Sequence, residues 1–198
     1  MSTAGHRTAQ RRLRIESVLN RRQPDLTVVL ENVHDPHNVS AVLRTCDAVG
    51  VLQVHLVYTQ EPFPEISHRT SASAYKWLLL HRHRDIASCY AELRRQGFRI
   101  WATALTPEAQ NAFTLDFTQP TAFVLGNEHR GVSPEAQIHA DGLCCIPQVG
   151  MVQSLNISVA CAVLLYEAFR QRWVAGFYTQ PRLEPKEWER LFHLWLQQ

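Results

Sequence analysis

Six short, nearly continuous apolar runs recur along the chain, at 27–33, 52–58, 77–81, 99–105, 121–125 and 143–146. Runs of this length without polar alternation suit strands covered on both faces. Between them, apolar residues return at helical spacing. One such segment, 39–49, stops at Gly50, a residue suited to the left-handed turn that follows a helix. Asp85 is placed to cap a second, 86–96, which Gly97 closes. Ser133, Pro134 and Glu135 mark a further helix start, with a cap, a first-turn proline and an acid near the positive dipole end. Strands alternating with helices in this way predict an α/β protein, a mostly parallel sheet flanked by helices.

The segment after Asn156 is apolar on more than one side. Ile157, Ala160, Cys161, Leu164, Leu165 and Ala168 form one face, and Val159, Ala162, Val163 and Tyr166 cover much of another. A helix apolar most of the way round is buried on two sides. One side suits the sheet and the other a second subunit, so a homodimer is expected. At the ends, Ile15, Val18 and Leu19 give a basic helix a narrow apolar stripe, and Trp188, Leu191, Phe192 and Trp195 recur at helical spacing beyond Gly176 and Pro181. The chain therefore divides into a basic helical arm at 1–22, a core at 23–176 and an amphipathic tail helix at 177–198. The tail is expected to pack beside the arm.

Composition sharpens this picture only in places. A chain of 198 residues that is 45% hydrophobic can bury a sizeable core, which excludes a disordered protein and favours one domain with appendages. The net charge is only +2, but Lys76 and Lys186 are the sole lysines, and six arginines against one acid fall in the first 22 residues. Such an arm suits phosphate, which guanidinium groups bind bidentately, although a solvated helix carries the same charges. No run is long and apolar enough to span a bilayer, which takes roughly 20 residues. The start is too arginine-rich for a secretory signal, while an acid-poor, arginine-rich start also suits a transit peptide. Five cysteines without framework spacing indicate reduced thiols and a cytoplasmic protein.

Several chemistries are missing. There is no glycine fingerprint for a dinucleotide, and Gly126 and Gly131 have the spacing of a phosphate loop without its lysine. No nucleophile elbow is present. His81 and His83 have no supporting cysteine or acidic cluster, so they read as exposed histidines and no metal is expected. Three polar stretches remain, NVSAVLR at 38–44, LGNEHRG at 125–131 and IPQVGMVQSLN at 146–156. Taken singly, Arg44 is an ordinary surface arginine, Glu128 a loop acid, and Ser154 and Asn156 helix caps. Together they stand beside buried strands, where open α/β sheets form ligand crevices. Asn38 and Arg44, at the start and second turn of one helix, are a pair that can converge on one anionic or hydroxylic group.

These stretches, extended to 38–50, 123–135 and 146–167, resemble the three motifs of the SpoU branch of the SPOUT RNA methyltransferases, and within it the TrmH group. The likeness covers most of the chain, terminal helices included. It implies a SPOUT fold with a C-terminal trefoil knot, S-adenosylmethionine (AdoMet) as cofactor, and methylation of a tRNA ribose 2′-hydroxyl, expected at guanosine 18. Other tRNA or ribosomal RNA riboses, and a non-catalytic RNA-binding protein of this fold, remain as alternatives. By residue match Thr103, Gly126, Ile146 and Leu155, with Leu125 and Met151 beside them, would hold the cofactor. Arg44, Asn38, Glu128, Ser154 and Asn156 would form the catalytic set, with Glu128 fixing Arg44 or a partner-chain group. Arg7, Arg11, Arg12, Arg14 and His37 would contact RNA. The family is dimeric, each site being completed by the partner subunit.

Overall fold

The computed structural model describes residues 3–63 and 74–198, with side chains from residue 9 onward. Its elements follow in the order α1 (Thr3–Leu19), β1 (Gln23–Glu31), α2 (Pro36–Ala48), β2 (Val51–Val57), β3 (Leu79–His83), α3 (Ile86–Arg95), β4 (Arg99–Thr103), β5 (Gln110–Asn111), β6 (Thr121–Leu125), α4 (Pro134–His139), β7 (Gly142–Cys145), α5 (Ile157–Val174) and α6 (Pro185–Leu196). The seven strands form one sheet in the order β3-β2-β1-β6-β4-β7-β5, every pair parallel.

Alternation along the strands feeds two cores. Val28 and Leu30 face α2 and α5, packing with Val42, Leu43, Cys46, Phe123 and Leu164. Val29 points the other way, toward Ile86, Tyr90 and Leu93 of α3 and Ala136 of α4. Strands buried on both faces carry apolar residues at both parities, which is why the runs were continuous. The caps fall where the residue types direct: Asp85 accepts from Ser88 N at 2.7 Å and Ser133 from Ala136 N at 3.2 Å. Gly50 and Gly97 take φ of +87° and +82°. A Cβ on Gly50 would also lie 2.7 Å from the Arg21 carbonyl oxygen.

Boundaries differ where a tighter turn intervenes. α2 starts at Pro36, three residues before its apolar pattern, because Asp35 caps it by accepting from His37 N at 2.8 Å. Asn38 thus lies inside the first turn, not ahead of the helix. β3 begins at Leu79 because 74–77 form a single 3₁₀ turn. His81 and His83 are half-buried, against the expectation of exposed histidines. Their rings stack on buried His55, with centroids 4.9 and 5.1 Å apart. Burial lowers the pKa of His55 to about 3, helped by the two neighbouring imidazoles.

The terminal helices share a third core, in which Ile15 and Leu19 meet Leu191, Phe192 and Trp195 over Leu52. Arg22 was grouped with the arm arginines, but its side chain is fully buried. It donates to Asp47 Oδ1 at 2.5 Å, Val51 O at 2.8 Å and Trp77 O at 3.1 Å, and lies over the Trp195 ring. A second buried cation, Arg172 of α5, donates to Asp25 Oδ1 at 2.6 Å and to the carbonyls of Phe117, Asp25 and Gln119. Buried cations paired in this way are structural, because removing one partner leaves an uncompensated charge. No helix among the described residues is long and apolar enough to cross a membrane.

Candidate active site

The carboxyl ends of β4, β6 and β7 open into one cavity of about 530 Å³. Its wall is built from the strand ends Thr103 and Leu125, the turn at Gly126, and Ile146, Gln148, Ser154 and Leu155 of the segment that leads into α5. Gly126 is required there: a Cβ on it would stand 2.0 Å from the Gly131 carbonyl oxygen. That approach lets Asn127 and Gly131 exchange backbone hydrogen bonds of 3.0 and 2.8 Å, closing a tight loop over the cavity. Asn127 holds the loop from inside, its Oδ1 accepting from His129 N at 2.9 Å and its Nδ2 donating to Asn32 O at 2.9 Å.

The polar residues at the rim form a connected set. Glu128 Oε1 accepts from Asn38 Nδ2 at 2.8 Å and Asp35 N at 3.1 Å, and Oε2 accepts from His34 N at 2.9 Å. Burial by itself would raise the Glu128 carboxyl; the hydrogen bonds from Asn38, His34 and Asp35 outweigh it and hold the group below the usual carboxylate range. Asn156 Nδ2 donates to Asn38 Oδ1 at 3.1 Å, while its Oδ1 caps α5 by accepting from Ser158 N at 2.9 Å. Residues 38, 128 and 156, far apart in sequence, therefore meet in one relay of side-chain hydrogen bonds.

Of the expected cofactor contacts, Thr103, Leu125, Gly126, Ile146 and Leu155 line the cavity, and so do Glu128, Ser154 and Asn156. Met151 does not: it is fully exposed at the tip of its loop, beside Val149 and Val152. Arg44 is not held by Glu128, whose oxygens are taken by the Asn38 amide and two backbone N–H groups. Asn38 and Arg44 are six residues apart, so about 100° per residue leaves their side chains roughly 120° apart around α2. Arg44 instead shares the exposed stripe of His37 and Ala48, and among the described residues it has no hydrogen-bond or ion-pair partner.

Residues outside the expected set also shape the rim. Asn32, at a φ of +50° just after β1, accepts from Thr59 N and Gln60 N at 2.8 and 2.9 Å. Glu61 bridges Arg130 Nη2 at 2.6 Å and His34 Nδ1 at 3.0 Å. Those contacts, Arg130 first, lower the Glu61 carboxyl below its ordinary range. Asn32 carried no separate signal, since it lies inside the run read at 27–33. Glu61 carried none, being an ordinary acid in a polar loop.

Residues 25–166, more than half of the chain, match the model of the SpoU rRNA Methylase family. The chain belongs to the SpoU rRNA methylase family. Among SpoU relatives it is 52% identical over 190 residues to a tRNA (guanosine(18)-2'-O)-methyltransferase of Thermus thermophilus, covering 96% of this chain and 97% of that one. The crystal structure of the Aquifex aeolicus TrmH/SpoU tRNA modifying enzyme is similar over 96% of both chains, with a TM-score of 0.90 and 39% identity. The Streptomyces viridochromogenes SpoU methyltransferase AviRb, solved in complex with AdoMet, matches 78% of this chain and 62% of its own, with a TM-score of 0.66 and 26% identity.

Proposed function

We propose that this chain is an AdoMet-dependent tRNA methyltransferase acting on the ribose 2′-hydroxyl of guanosine 18. The observation that carries the reading is the 52% identity, over 96% of the chain, to an enzyme named for that reaction. The test is methylation of a tRNA transcript followed by alkaline hydrolysis. A 2′-O-methyl removes the hydroxyl that attacks the next phosphate, so one rung of the ladder, after nucleotide 18, should be missing. A complete ladder with label in the RNA would mean base methylation and would overturn the reading.

The cavity fits AdoMet by size and by donor set. Its volume lies within the usual 300–1,000 Å³ of small-ligand sites. Leu105, Leu125, Leu155 and Leu164 offer apolar walls for a purine. Gln148 Oε1 is buried in the wall without a hydrogen-bond partner, an acceptor suited to an amino group. Bound there, AdoMet supplies an electrophilic methyl on a sulfonium, with a neutral thioether as leaving group.

The chain's own residues must bring the ribose hydroxyl into line, favour loss of its proton and exclude water. Asn38, held by Glu128 on one side and Asn156 on the other, is a fixed amide at the cavity rim. Arg44, exposed and unpartnered, is free to take a tRNA phosphate in its fork and to stabilise the oxyanion that develops on the ribose. Guanidinium groups remain cationic at working pH, so this electrostatic role is easier than proton abstraction by Arg44.

The arm contributes affinity through phosphate contacts. Its arginines are not equivalent. Arg11 donates to Trp195 O at 3.1 Å, and Arg12 lies over Phe192 and pairs with Glu16, so both also fasten α1 to α6. Arg14 is exposed and has no partner among the described residues, and the side chain of Arg7 lies outside them. Arg14→Ala is therefore expected to reduce the slope of log K against log salt by about 0.7–0.9, with Tm unchanged. Arg11→Ala should lower both. An unaltered slope in Arg14→Ala removes that residue from the interface. His37, on the Arg44 stripe, is placed to add an RNA contact.

We further infer that the working unit is a homodimer built on α5. Val159, Tyr166 and Trp173, at spacings of seven, are 47%, 52% and 59% exposed along one stripe, more apolar surface than a helix leaves in water. The double substitution Val159→Asp, Tyr166→Asp is expected to halve the mass seen by sedimentation and to abolish methyl transfer. An unchanged dimer mass would move the interface elsewhere. The trefoil knot would be formed by the loops that converge on the cavity, and 1–22 with 177–198 would act as an RNA-binding module beside the core at 23–176. A tRNA substrate and five free cysteines accord with work in the cytoplasm.

A further inference from the structure

Chemistry that the proposed reaction leaves unused lies at the β3 edge of the sheet, where β2 and β3 are separated from the nearest cavity strand, β6, by β1. There β2 and β3 pair in register with His55 opposite His81 and Val57 opposite His83. The strand period of two sends His81 and His83 to the same face as His55. α3 crosses that face and lays Cys89 on it. One donor atom from each of His55, His83 and Cys89 lies within 4.8 Å of the other two. His55 and Cys89 are fully buried and His83 half-buried.

We propose that this cluster is a binding site for a divalent transition metal of the zinc type, with His55, His83 and Cys89 as its protein ligands. Two neutral imidazoles and a thiolate are the donor set that a borderline-soft ion prefers over magnesium or calcium. His55 Nδ1 and His83 Nε2 share a hydrogen bond of 2.9 Å, which an ion held between them would replace. Two zinc–nitrogen bonds of about 2.0–2.1 Å in tetrahedral geometry place their nitrogens about 3.3 Å apart, so the rings need to part by only about 0.4 Å.

In the same stack His55 Nε2 and His81 Nε2 are buried without a hydrogen-bond partner, although buried polar atoms are almost always paired. Neither atom faces His83, so they show a stack short of partners and are not the ligand atoms proposed. Glu92, one helical turn beyond Cys89, turns its oxygens to Arg95 and Gln96 and so stands outside the ligand set. β3 is the edge strand and His83 is part-exposed, which leaves an entry path and a coordination position for water. The bound ion would tie that edge to α3, a structural role separate from methyl transfer.

The test uses the full chain without a histidine tag, stripped with chelator and titrated with Co²⁺ as a spectroscopic stand-in. One equivalent per chain is expected, with a thiolate-to-cobalt charge-transfer band and the strong visible bands of four-coordinate cobalt, both removed by Zn²⁺. Cys89→Ala should lose the charge-transfer band, and His83→Ala should weaken Zn²⁺ binding at least about tenfold in competition with a chromophoric chelator. A wild-type spectrum without the thiolate band overturns the proposal whatever the variants do. So does a band that persists in Cys89→Ala, which would locate the metal at another cysteine.

Discussion

Arg44→Ala is expected to lower kcat by about 10²–10³-fold while AdoMet affinity and Tm stay at wild-type values. The separation follows from its position. Arg44 is exposed on α2, touches no cavity wall and has no partner among the described residues, so its removal costs the fold little. Its guanidinium would act only once phosphate and developing oxyanion are present. Arg44→Lys keeps the charge but not the fork, and should retain part of the activity. Single-turnover transfer at saturating tRNA, with binding measured separately, distinguishes the cases. If Ala and Lys variants were equally inactive with tRNA binding intact, the phosphate clamp would lose its support.

Glu128→Ala is expected to reduce kcat/KM by about 10²-fold, through displacement of groups it does not itself present to substrate. Its carboxylate holds Asn38 Nδ2 and the His34 and Asp35 N–H groups, and Asn38 in turn holds Asn156. Removing the acceptor frees both the α2 turn and the entry to α5. The stability cost should be about 1 kcal/mol, a fall of roughly 2–4 °C in Tm, since much of the set is solvent-exposed. Glu128 is held below the usual carboxylate range in the fold, so its contribution is present above the unfolded value and lost as pH falls through the lowered folded one. The Tm gap between wild type and Glu128→Ala should narrow as pH falls below the unfolded glutamate value of about 4.3 and close below the lowered folded one. A gap that persisted there would assign the loss to packing.

Most of the fold could be read from the chain because parallel strands buried on both faces leave unbroken apolar runs, and because Asp85, Ser133, Gly50 and Gly97 punctuate the helices between them. Strand order could not be read. It depends on crossovers that leave no local trace, and β5, two residues long at Gln110–Asn111, has too little pattern to detect. At the site, polar residues at strand ends marked the stretches 125–131 and 146–156, while the choice of Gly126, Glu128 and Asn156 within them came from the family resemblance. The pairing of Glu128 with Asn38 instead of Arg44 was not legible, because it turns on α2 starting at Pro36 and on helical phase. Arg22 misled for a related reason: a run of arginines does not reveal which one points inward. The three-histidine stack was hidden because His55 lies on a different strand from His81 and His83.

The most direct test of the central claim is transfer of labelled methyl from AdoMet to an unmodified tRNA transcript, beside the same transcript with guanosine 18 replaced by adenosine. Label on the first alone is the predicted result, and fixes reaction and nucleotide together. Equal label on both transcripts would contradict the assignment to guanosine 18, and no label on either would contradict the assignment to tRNA.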